Sequence, residues 1–194
     1  LPRTNEDRVV FMGNSITQGW KEQVPEFFDN PNYINRGIGG QTTPQMLLRF
    51  RQDVLKLYPK VVVILAGTND IAGNTGPSTL EMIEDNIYSM AELARVHNVE
   101  VVLCSVLPVY DYPWQTGLEP AEKIVELNSR LQKYADKRGI VYADFFSEMV
   151  DNQNGLRSEY TKDGVHPTKA GYEVMAPIVE KAIARALILW NSNK

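Results

Sequence analysis

Lys60 to Ala66 holds six consecutive apolar residues, Val61-Val62-Val63-Ile64-Leu65-Ala66, with no polar residue in alternation, and stops at Gly67-Thr68-Asn69-Asp70. A strand with one wet face alternates, whereas a strand apolar throughout is covered on both faces, as in a parallel sheet between helical layers. Similar short runs at Arg8 to Met12, Asn32 to Arg36, Val99 to Val106 and Gly139 to Asp144 bring the predicted strands to five. The segments between them have helical period: Met46, Leu47, Phe50, Val54 and Leu57; then Ile83, Ile87, Met90 and Ala94; then Ile124, Leu127, Leu131 and Tyr134. A last helix is predicted after Pro167, with Thr168 as N-cap and Tyr172, Met175, Val179, Ile183 and Leu187 on one stripe, and a short one over Glu22 to Phe28. The expected fold is α/β, a three-layer α/β/α sandwich on a five-stranded parallel sheet. No repeat or Pro/Gly linker divides the chain, so residues 1–194 read as one domain.

Composition narrows the function. With 20 Lys and Arg against 24 Asp and Glu, a net charge of −4 and no basic block, a nucleic-acid partner is disfavoured. The longest apolar run is of strand length, so no membrane-spanning segment is expected. A lone Cys104 excludes an intramolecular disulfide framework and a multi-Cys metal cluster. Only His97 and His166 can supply imidazole, and His97, followed by Asn98, reads as a cation at a helix C-terminus. The first residue is Leu1, as expected of a trimmed chain or an exported form that has lost its leader, and the single thiol fits export and a reducing cytosol alike.

In a parallel sheet with right-handed crossovers, all carboxyl ends of the strands lie on one edge, where ligands bind. Four polar turns are expected there or beside it: Gly13-Asn14-Ser15-Ile16-Thr17, Gly37-Ile38-Gly39-Gly40-Gln41, Gly67-Thr68-Asn69-Asp70, and Asp163-Gly164-Val165-His166 before the final helix. Singly, each has an ordinary structural use as a cap or turn. Together they supply a hydroxyl, glycine N–H groups, a carboxamide and an Asp/His pair, the parts required for acyl transfer.

The order Ser, Gly, Asn, Asp-x-x-His resembles that of the SGNH hydrolase superfamily, the GDSL-like lipases and acylhydrolases, over Arg8 to about Leu187. The resemblance implies a flavodoxin-like SGNH hydrolase fold, with Ser15 as nucleophile, His166 as base and Asp163 as its orienting partner. It implies oxyanion donors at Ser15, Gly40 and Asn69, and no metal or organic cofactor. Asn14 and Gln41 stand where such proteins commonly have Asp. A nucleophile elbow of the α/β-hydrolase kind is not matched, because Gly13-Asn14-Ser15-Ile16-Thr17 lacks its second glycine.

Trp20, the segment Ala72 to Ser78, and Tyr110, Tyr112 and Trp114 are expected to wall the site, the rings serving as a platform for a sugar. No long Leu- and Phe-rich lid is evident. The expected substrate is therefore a small-molecule or glycan ester with a short acyl group, acetyl above all, on a polar alcohol. A lysophospholipase or thioesterase is the alternative within the same chemistry. A phosphate- or FMN-binding flavodoxin-like protein is the alternative outside it, with Ser15-Ile16-Thr17-Gln18-Gly19 as the phosphate turn. Oligomeric state is not legible.

Overall fold

The computed structural model describes residues 7–192. Strands β1 (Val9–Gly13), β2 (Tyr33–Gly37), β3 (Val61–Leu65), β4 (Glu100–Cys104) and β5 (Val141–Ala143) form one parallel sheet in the order β2-β1-β3-β4-β5. The chain starts near the middle, winds out to β2, and returns across β1 to fill the other side. β1 and β3 are buried along their whole length, while β2, on the edge, is half-buried.

Side chains of successive strand residues point to opposite faces. Val10, Met12, Val62, Ile64, Val101 and Leu103 pack on α2 (Thr43–Asp53), α4 (Leu80–Val96) and α5 (Pro120–Arg138), past the single turn α3 (Thr68–Ile71). Val9, Phe11, Val61, Val63, Val102 and Cys104 pack on α1 (Ser15–Gln23) and α7 (Lys169–Ser192), with the short α6 (Phe146–Met149) beside them. This is the three-layer sandwich expected. Among the described residues no helix is long and apolar enough to cross a membrane.

Several boundaries differ from the sequence reading, three of them for a clear physical reason. The expected helix over Glu22 to Phe28 is instead the end of α1 followed by a 3-10 turn at Pro25–Asp29, since the residue before a proline is steered out of the helical region and Val24 sits at φ −137°, ψ 67°. The residues Ser15 to Gly19, read as a turn, open α1, because the Asn14 side chain accepts the Ile16 N–H and caps the helix at once after β1. β4 stops at Cys104 rather than Val106. The carboxamide of Asn128, from α5, accepts the Val106 N–H at 2.7 Å and donates to the Val106 carbonyl at 2.9 Å, replacing a strand as partner. At the far edge, His97 does close α4, its Nδ1 lying 2.8 Å from the Leu93 carbonyl, and Asn98 takes a left-handed φ of 57°.

Candidate active site

β1, β2 and β3 each deliver one polar turn at the carboxyl edge. β1 runs into Asn14, and Ser15 is the first residue of α1, so its backbone N–H is one of the helix donors with no intrahelical acceptor. The start of α1 crosses directly over the end of β2. A Cβ on Gly37 would come within 2.1 Å of the Gln18 nitrogen, so only glycine permits this approach.

Beyond Gly37 the chain loops back above Ser15. The Gly39 N–H donates to Gln18 Oε1 at 2.8 Å, the Gln41 N–H to the Ile38 carbonyl at 3.4 Å, and Asn74 Nδ2 to the Gly40 carbonyl at 3.2 Å. The Gly40 N–H, between these anchored peptides, has no acceptor among the described residues. Here a Cβ at Gly40 would meet no protein atom within 4 Å, and it is the left-handed φ of 75° that favours glycine.

β3 ends at Gly67, and Asn69 is presented from α3 almost fully buried. Its Nδ2 donates to the Gln41 carbonyl at 2.9 Å, which occupies one of two amide hydrogens and leaves the other without an acceptor among the described residues. Next to it, Asp70 accepts from the Thr43 N–H at 2.9 Å and the Thr43 hydroxyl at 2.6 Å, pinning the start of α2 to α3. Burial pushes the Asp70 carboxyl up, against the pull of the Thr43 bonds.

The fourth turn lies before α7. Asp163 Oδ1 accepts the N–H groups of Val165 and His166 at 2.9 and 2.8 Å, and its Oδ2 lies 2.7 Å from His166 Nδ1. The three-residue spacing thus folds the Asp back on its own turn and onto the imidazole at once. The Thr161 hydroxyl donates to the His166 carbonyl at 2.9 Å and steadies the turn. Partial burial pushes the Asp163 carboxyl up, but the bonds from His166 and Val165 outweigh it and hold the group down at about 2. With Nδ1–H given to this carboxylate, Nε2 is the acceptor left for Ser15 Oγ, 2.9 Å away.

The expected wall residues divide. Trp114, 47% exposed, tilts its ring at 37° with its centroid 6.1 Å from that of His166, and Tyr110 is exposed farther along the same loop. Trp20 and Tyr112 are corrections: neither offers a face to a ligand. Trp20 is buried between Phe27 and Tyr172, ring centroids 4.8 and 5.4 Å away. Tyr112 is wholly buried with its hydroxyl donating to the Thr68 carbonyl at 2.8 Å. Both rings meet enough apolar surface to stay inside, which spacing along a loop does not reveal. Arg49, which holds the glycine loop, was missed altogether, being a common surface residue type with no motif around it, while Gln18 and Asn74, which also hold it, were named only as members of longer segments.

The sequence profile of the GDSL-like Lipase/Acylhydrolase family matches residues 11–174. The solved structure of a GDSL-like lipase from Bacteroides thetaiotaomicron VPI-5482 superposes with a TM-score of 0.92 at 48% identity, covering 95% of this chain and 91% of that one. The platelet-activating factor acetylhydrolase IB subunit alpha2 of Rattus norvegicus is 25% identical over 95% of this chain and 80% of its own length. An acetylxylan esterase of Xylanibacter ruminicola is 24% identical over 94% of this chain, which spans 45% of that protein. A shorter match to the lipoprotein YqeF of Bacillus subtilis, 37% identical over 86 residues, takes in 42% of this chain and 35% of that protein. The matched profile runs from within β1 to beyond His166, so both ends of the Ser–His–Asp chain lie inside it, on a fold shared with a near relative of similar length: the protein belongs to the GDSL-like lipase/acylhydrolase family of the SGNH hydrolase superfamily and is a hydrolase of esters.

Proposed function

We propose that the protein is a serine esterase that removes short acyl groups, acetyl above all, from a polar alcohol such as a carbohydrate. The observation that carries this reading is the unbroken hydrogen-bond chain from Asp163 through His166 to Ser15, facing three donors that the fold leaves unused. Ser15 Oγ attacks the ester carbonyl while His166 Nε2 takes its proton, and Asp163 stabilises the imidazolium. The negative oxygen of the tetrahedral intermediate is met by the N–H groups of Ser15 and Gly40 and by Asn69 Nδ2. His166 returns the proton to the departing alcohol, and water repeats the sequence on the acyl-serine. None of these steps calls on a metal or organic cofactor.

For the substrate, the exposed face of Trp114 beside His166 supports a flat platform for a sugar ring, and the names of the acetylhydrolase and acetylxylan esterase relatives support acetyl as the acyl group. The test is a series of chromogenic esters of increasing acyl length, run beside acetylated sugars on the wild type and Ser15→Ala. Acetyl esters should be turned over best, with kcat/KM falling by butyryl to octanoyl. A pocket for a lipid chain would instead gain about 0.8 kcal/mol per buried methylene, so an optimum at octanoyl overturns the reading. Ser15→Ala should lower kcat by about 10³- to 10⁶-fold, and a serine-directed phosphonate should label Ser15 alone.

A further inference from the structure

Arg49, on the second turn of α2, reaches the departure points of both the Ser15 turn and the glycine loop. Its Nη2 donates to the Gly13 carbonyl at 2.9 Å and its Nη1 to the Arg36 carbonyl at 2.9 Å. Nε donates to Gln41 Oε1 at 2.6 Å, and Nη1 also meets Asp53 at 2.8 Å, one turn on in the same helix. Gly13 is paired with Gly37 at the last rung of the β1–β2 ladder, so the guanidinium sits where that ladder ends and the two loops diverge. The side chain is only 13% exposed, and four of its five N–H bonds are committed.

We propose that Arg49 is a positioning residue for the oxyanion hole: by bridging the ends of β1 and β2 and holding the Gln41 side chain, it fixes the separation of the Ser15 and Gly40 N–H groups. The inference rests on the reading of those groups as oxyanion donors. Gln41 is held from two sides, its side chain by Arg49 and its carbonyl by Asn69 Nδ2, so the glycine loop and the carboxamide donor share one anchor. A planar fork is needed because the three acceptors lie in different directions around it. A lysine ammonium keeps the charge and the pairing with Asp53 but cannot span them. This also assigns a use to Gln41, whose neutral carbonyl accepts from Nε while Asp53 supplies the counter-charge.

The experiment measures kcat, KM and thermal midpoint on 4-nitrophenyl acetate for Arg49→Lys, Asn69→Ala and the double variant, with Gln41→Ala as a milder disturbance should Arg49→Lys not fold. Displacing a preorganised donor by about 1 Å costs about 100-fold, so kcat of folded Arg49→Lys should fall by about 10- to 100-fold with KM within about twofold. Gln41→Ala should lose kcat in the same direction and by less. The double variant should lose clearly less than the product of the two single losses, since both act on one oxyanion site. A lowered midpoint with kcat per folded molecule unchanged overturns the proposal, as do losses that multiply in full. Unchanged kcat in Asn69→Ala overturns the oxyanion reading itself and this inference with it, whereas a loss there with none in Arg49→Lys or Gln41→Ala overturns the role of Arg49 alone.

Discussion

Asp163 is held ionised by the same turn that presents His166, since two backbone N–H groups and the imidazole all converge on its carboxylate. Its carboxyl sits at about 2 in the folded protein against an ordinary 3.8, so the stabilisation it gives is complete above about 3.8 and disappears as pH falls toward 2. The stability difference between wild type and Asp163→Asn, followed by denaturant unfolding across pH, should therefore be level at neutral pH and shrink only below about pH 4. Loss of activity on acidification at any higher pH belongs to another group. His166→Ala should lower kcat by orders of magnitude and His97→Ala should leave it unchanged, because His166 bonds Ser15 Oγ while His97 lies at the far edge on the Leu93 carbonyl. Asn69→Ala should cost about 10²- to 10³-fold in kcat with little change in KM. Trp114 and Tyr112 should now separate: Trp114→Ala should weaken turnover of a sugar acetate more than of a small aromatic acetate, while Tyr112→Phe should leave that ratio unchanged and lower stability by about 1–3 kcal/mol through its lost buried bonds to Thr68.

At the level of elements, the strands were legible because a parallel strand announces itself by continuous apolarity, as Val61 to Leu65 does. The four site turns were legible because each follows, or in the last case precedes, an element with a strong pattern. What could not be read is whatever depends on contact across long stretches of chain. Nothing near Val106 in sequence says that Asn128, 22 residues on, will take over its ladder bonds, and nothing near Trp20 says that Tyr172 will cover it. The Asn128 exchange carries its own prediction. In Asn128→Ala two buried backbone groups of Val106 lose their partners, each costing about 1–3 kcal/mol, and the unfolding midpoint in urea should fall accordingly while KM stays put. Asn14→Ala should cost about 0.5–2 kcal/mol as a lost N-cap, and because the capped helix begins at Ser15, kcat should fall with it.

Across the whole molecule, the Ser15–His166 contact joins residues 151 positions apart, and the helix that follows His166 also packs on one face of the sheet. Tyr172 on α7 stacks on Trp20 of α1 and donates its hydroxyl to the Ile16 carbonyl at 2.7 Å, so the two halves of the site are aligned by core packing rather than by the site itself. During synthesis a chain emerges from its N-terminus. The layer made by α2, α4 and α5 has nearly all its buried residues, Val165 excepted, well before α7 leaves the ribosome, while Val63 and Val102 still wait for Met175, Val179 and Ile183. The nascent chain therefore carries a partly open apolar sheet face and a Ser15 without its His166 partner until α7 and the turn before it are made, and it gains both together. On the proposed mechanism, ester turnover would report that α7 has docked.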